Sequence, residues 1–148
     1  MAEADVQRTV VSALSALGVD FTHIANEAPL MGALRRTLCS VLGRKAGNAA
    51  AARAGKIVGG ILHGLGLKKG VHDLLILSPL PAFPEARTGW LEVKSETAKQ
   101  ASKGWDSSSV SSAQRDWRDT VERCGGKAGV GFGVDGCFEV LRGWGFRL

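Results

Sequence analysis

Two runs, DLLILSP starting at Asp73 and WLEVKS starting at Trp90, constrain this chain more than any other feature. The first is a continuous apolar stretch of strand length that ends at a proline-rich loop, Pro79 to Pro84. The second follows Gly89, and both read as β-strands. Successive strand residues point to opposite faces, which puts Glu92 and Lys94 on one face and Leu91, Val93 and Ser95 on the other. An acid and a lysine on one strand face can share a site.

The flanking segments read mostly as helix. From Ala4 to Leu17 the residues Val6, Val10, Val11, Leu14 and Leu17 recur at helical spacing, and Gly18 supplies a stop. Val19 to Ile24 is a short connection. Leu30 to about Lys56, rich in Ala, Leu and Arg, is a helical stretch broken once, with Gly43 and Gly47 as the candidate breaks. GGILHGLGLKKG then has too many glycines for a helix and reads as a strand edge or ordered loop. Residues 96–109, polar and serine-rich, read as a mobile loop able to act as a flap. A third helix starts near Ser111, with Ala113, Trp117, Val121 and Cys124 on one face. Arg115/Asp119 and Arg118/Glu122 are its supporting pairs, and Gly125-Gly126 is its stop. A strand, AGVGFGV, and a helix, CFEVLRGW, close the chain. The order α, α, β, β, α, β, α predicts an α/β fold.

At 148 residues and 45% hydrophobic, the chain suits a single domain spanning 1–148. It has no uncharged apolar run long enough to cross a membrane and no signal-peptide pattern at the start, so a soluble cytoplasmic protein is expected. Cys39, Cys124 and Cys137 are odd in number and lack CxxC spacing, which argues for buried, reduced thiols over a disulfide framework or a zinc site. The net charge of +5 is unevenly spread. Residues 28–72 contain Arg35, Arg36, Arg44, Lys45, Arg53, Lys56, Lys68 and Lys69 and no acid, whereas acids and bases balance from 73 onward. Such a block is either a solvated face or a surface for phosphate backbones. As candidate nucleic-acid contacts we take Arg35, Arg36, Arg53, Lys56, Lys68 and Lys69, with Lys99 and Lys103 from the polar loop.

Phosphodiester hydrolysis needs a hard divalent cation with oxygen ligands and a group that positions the attacking water. Asp73 and Glu92 offer carboxylates, the Val93 carbonyl a third oxygen, and Lys94 an ammonium for the water or the developing phosphate charge. Taken alone, D-x18-E-x-K is permissive, and E-x-K is commonly just an exposed strand face. Gln114 makes a capping box with Ser111, and NEAP around Glu27 reads as a cap and turn. Gly131 to Gly136 satisfies GxGxxG, but too little chain follows for a dinucleotide fold, so it reads as strand and turn and no nucleotide cofactor is expected.

GLKKGVHDLLIL followed by WLEVKS resembles the core of the PD-(D/E)XK nucleases, specifically the VRR-NUC (virus-type replication-repair nuclease) family. HIANEAP resembles the family's acidic helical motif, SSAQRDWRDTVERCGG its glutamine-bearing helix, and VLRGWG its closing segment, so the likeness covers most of 21–145. His72 departs from it, since the family usually has proline there, a residue that shapes the turn. The resemblance implies a mixed central sheet flanked by helices and a Mg²⁺ or Mn²⁺ site. It makes Asp73 and Glu92 metal ligands, Lys94 the catalytic lysine, Glu27 an outer or second-metal carboxylate, and Gln114 a residue near water or phosphate. It further implies a homodimeric endonuclease acting on branched or double-stranded DNA in replication, recombination or repair, similar to resolvases of four-way junctions. The alternatives are a non-catalytic basic DNA-binding module, a nuclease for flaps or other branched DNA, and a structural subunit or nuclease inhibitor that turns the basic block on an acidic protein.

Overall fold

A computed structural model describes residues 1–24, 27–64, 70–95 and 101–148, and for 27–30 and 63 the backbone alone. The chain divides into two compact units, one formed by Met1–Ile24 with Lys69–Leu148 and the other by Ala25–Lys68.

The first unit is α/β. Helix α1 (Glu3–Ala16) buries Val6, Val10 and Leu14 completely, as their i, i+4, i+8 spacing requires, and stops at Gly18 with φ of 66°. Strand β1 (Phe21–His23) occupies the stretch expected to be a bare connection. It pairs antiparallel with β2 (Leu74–Ile76), whose neighbouring chain supplies the missing hydrogen bonds. β2 pairs antiparallel with β3 (Gly89–Lys94), Leu74 opposite Leu91. Helix α4 (Ser112–Arg123) then carries the chain to β4 (Lys127–Phe132), which lies parallel to β3 with Glu92 opposite Val130. Two further helices, α2 (Glu27–Leu42) and α3 (Arg44–Gly64), belong to the second unit, and α5 (Gly133–Gly143) follows β4 directly. The result is a four-stranded mixed sheet in the order β1-β2-β3-β4, flanked by helices.

One face of the sheet carries the apolar core. Leu74, Ile76, Leu91 and Val93 meet Val6, Val10 and Leu14 of α1 and Cys137 and Leu141 of α5, all fully buried. At about 1.5–3 kcal/mol for each large aliphatic side chain, this layer is the main favourable term in the unit. The close approach of α5 depends on Gly131, where a Cβ would lie 2.5 Å from both Cα and Sγ of Cys137. The GxGxxG run is therefore a strand passing straight into a helix at Gly133, rather than the strand and turn expected.

The second unit is a helical hairpin broken at Gly43, with φ of 81°, while Gly47 lies inside α3. α3 continues through Gly59, Gly60 and Gly64, against the expectation of a strand edge or loop. Glycine costs about 1 kcal/mol per helical position, which tertiary packing overrides. Here Val58 and Leu62, one turn apart, are partly buried and Gly55 sits against Met31. The polar stretch expected to be a mobile flap is built structure over 101–110: it contains a 3₁₀ turn, Gly104–Asp106, and buries Ser107 and Val110. Residues 96–100 lie outside the described ones. Among the described residues no helix is long and apolar enough to cross a membrane.

The cysteines differ from the uniformly buried expectation: Cys137 is buried, Cys39 intermediate and Cys124 exposed at the end of α4. Burial pushes the Cys137 thiol up to about 12. A thiol reagent at pH 8 should label Cys124 quickly and Cys137 only after denaturation, as peptide mapping would show. Gly131→Ala should lose about 1–3 kcal/mol from overpacking. Gly143→Ala, with nothing within 4 Å of its Cβ, should be neutral or slightly stabilising; urea unfolding would compare them.

Candidate active site

On its other face the sheet sets Glu92 and Lys94 among Leu75, Trp90, Val130 and Phe132. Extending the β2–β3 register by one residue sets Asp73 opposite Glu92, and opposed residues of an antiparallel pair project to the same side. Asp73 is held there by its own carboxylate: Val93 N–H donates to Oδ2 at 2.9 Å, so the side chain continues the bonding where the strand stops. Lys94, two residues beyond Glu92, reaches back, its Nζ 2.6 Å from Glu92 Oε1. From α4 the Gln114 amide donates to the same Oε1. Asp73, Glu92, Lys94 and Gln114 thus form one cluster in which Glu92 is 2% and Lys94 9% exposed.

The anchoring of Gln114 is legible as a capping box. Ser111 Oγ accepts from Gln114 N–H at 3.2 Å, and Gln114 Oε1 accepts from Ser111 N–H at 2.9 Å. The two ends of this one amide have different partners: Oε1 caps the helix while Nε2 donates to Glu92. Gly70, with φ of 78°, packs against the Ala113–Gln114 backbone, where a Cβ would lie 2.2 Å from Ala113.

His72, the residue next to Asp73, packs against the start of α4. It is fully buried, with Nε2 at 3.2 Å from the Gln114 carbonyl and its ring 5.3 Å from that of Trp105. Burial lowers its pKa to about 4, so it is neutral near pH 7 and can donate to that carbonyl. The Arg118 guanidinium covers the Trp105 ring at 5.2 Å, and Arg115 donates to the Trp105 and Val110 carbonyls at 3.3 and 2.8 Å. These contacts replace the Arg115/Asp119 and Arg118/Glu122 pairs expected from helical spacing, and Arg118 pairs with its neighbour Asp119 at 2.7 Å. The arginines strap the segment after Ala101 beside the cluster.

Burial raises the Asp73 pKa, and the Val93 N–H bond and Lys94 oppose that rise. Burial, then the negative Asp73, drive Glu92 up to about 8 against the pull of Lys94. Glu92 Oε2 is buried without a hydrogen-bond partner. Two hard oxygen donors that repel each other, one with an open buried oxygen, fit a divalent cation. Mg²⁺ needs only one or two carboxylates because it keeps several waters. Asp73 and Glu92, with the Val93 carbonyl, are the groups that could hold it. Among the described residues no set of three or more His, Cys, Asp or Glu gathers.

Glu27 opens α2 in the second unit, and its side chain lies outside the described residues. Arg35, Arg36, Arg53 and Lys56 are exposed on that unit, and Lys103 is exposed before the 3₁₀ turn. Lys68, Lys69 and Lys99 lie outside the described residues.

Gln114 substitutions separate cap from site. Gln114→Ala should lose about 1 kcal/mol through the cap alone, and more because the buried Glu92 Oε1 is left with Lys94 as its one partner. Gln114→Glu keeps the capping geometry but opposes a carboxylate to Glu92. It should therefore destabilise the metal-free protein at pH 8 and recover with Mg²⁺, as read by thermal unfolding. No family model, no curated protein and no solved structure matches this chain.

Proposed function

We propose that the chain is a metal-dependent DNA endonuclease with a PD-(D/E)XK core of the VRR-NUC kind, acting on branched or double-stranded DNA as a homodimer. The observation that carries this reading is the buried face on which Asp73, Glu92, Lys94 and Gln114 converge, with Glu92 Oε2 left open. The sheet order, antiparallel from β1 to β3 and parallel across α4 to β4, is compatible with that core. The resemblance in sequence supports the finer assignment.

In this mechanism a water oxygen bonds to phosphorus and the bond from phosphorus to O3′ breaks in line. A water proton moves on to O3′, leaving a 5′-phosphate and a 3′-hydroxyl. A bound Mg²⁺ or Mn²⁺ would supply Lewis acidity and make a bound water more acidic. Lys94 places a positive charge where negative charge develops on the phosphate oxygens. Its pairing with Glu92 holds the ammonium on the sheet face. Gln114 fixes the Glu92 carboxylate through one oxygen, so that the other stays directed to the site. A second copy of the chain would pair two such sites, which suits symmetric nicking of a two-fold four-way junction.

The test is cleavage of a labelled immobile four-way junction beside linear duplex, flap and single strand, with Mg²⁺ or Mn²⁺. Paired nicks in the junction are expected, with Asp73→Ala and Lys94→Ala each slowing cleavage by about 10²–10⁴-fold. Cleavage of another substrate with the same mutant behaviour would remove the junction and keep the nuclease. A folded protein that cleaves none of them with either metal would sink the reading.

A further inference from the structure

The α2–α3 hairpin holds a second concentration of charge. Arg35, Arg36 and Ser40 of α2 fall on one side of that helix, and Arg44 and Asn48 lie one turn apart on α3. The helices are locked together between them. At Gly47 a Cβ would lie 2.4 Å from Cys39 Cα, so the two backbones touch there. Cys39 Sγ lies 3.5 Å from Asn48 Oδ1 and 3.7 Å from the Arg44 carbonyl. The close crossing leaves an open cavity of about 510 Å³ lined by Arg35, Arg36, Cys39, Ser40, Arg44 and Asn48. A second cavity of about 390 Å³ shares Arg35 and Asn48 and runs on between Met31 and Gly55, so the cleft is elongated along the hairpin.

Three guanidinium groups around one cleft repel one another, and after Glu27 at the start of α2 the sequence of this hairpin offers no acid to neutralise them. No acid occurs from residue 28 to 72, and among the described residues none of the three arginines forms an ion pair. All three are exposed and open to a large anion. Guanidinium forks match phosphate oxygens in pairs, while Ser40 and Asn48 add neutral hydrogen-bonding groups. Among the described residues no aromatic side chain lines either cavity, so none of them offers a ring to stack on a base. We propose that this cleft grips consecutive backbone phosphates of a nucleic-acid strand through Arg35, Arg36 and Arg44, an inference that rests on the nucleic-acid reading above.

The test is binding of a fluorescent DNA duplex across a salt series in chelator, where no cleavage occurs. Arg36→Gln and Arg44→Gln should each weaken binding and lower the slope of log affinity against log salt by about 1. Arg147→Gln, an exposed arginine of the other unit, should leave both unchanged. Steep, salt-dependent binding that the hairpin variants do not alter would overturn the cleft and leave the nuclease reading standing. No binding by the parent protein at any salt would overturn the nucleic-acid reading itself. Inorganic phosphate shifting the arginine side-chain NMR signals as strongly as the duplex does would mark a free-anion site and overturn the strand.

Discussion

Burying a carboxylate beside another carboxylate is expensive, and the first unit is organised around doing so. Glu92 is nearly inaccessible and faces Asp73, and its charge is answered by Lys94 on the same strand and by the Gln114 amide from α4. Removing one member of such a group leaves the rest buried and unpaired, at a cost larger than the bond itself. That asymmetry makes the cluster interdependent. β2 must begin where Asp73 can take the Val93 N–H, and α4 must begin where its cap can also reach Glu92.

The apolar face supplies the rigidity that this arrangement needs. Leu91 and Val93 alternate with Glu92 and Lys94, so the strand that carries the site also anchors it in the core beneath α1 and α5. Backbone proximity does the rest. Gly131 admits α5 against β4, and Gly70 admits the chain before Asp73 against the start of α4. His72 then fills the space between Gln114 and Trp105. The polar segment behind Trp105 is held by arginine hydrogen bonds to its carbonyls.

The hairpin presents the opposite electrostatic problem. In the sheet unit, opposite charges are brought together out of water; in the hairpin, like charges are brought together in water. Mutual repulsion of exposed guanidiniums is weak in high dielectric and screened by salt, so a close helix crossing tolerates it. It also makes an incoming polyanion favourable.

Much of the site was written into local pattern. Strand alternation placed Glu92 and Lys94 on one face, the spacing of Ser111 and Gln114 announced the cap, and Val6, Val10 and Leu14 announced the buried stripe of α1. These are short-range regularities that the backbone imposes whatever the neighbours. Residues distant in sequence were decided by tertiary structure alone. Phe21–His23 became a strand because β2 lay beside it, and Gly47 and Gly55 of α3 came to lie against α2. Arg115 and Arg118 turned from helical partners to the carbonyl and ring of Trp105, and His72 became a buried neighbour of Gln114. Periodicity records which face a residue takes; which groups meet across that face depends on distances the chain sets only when it is folded.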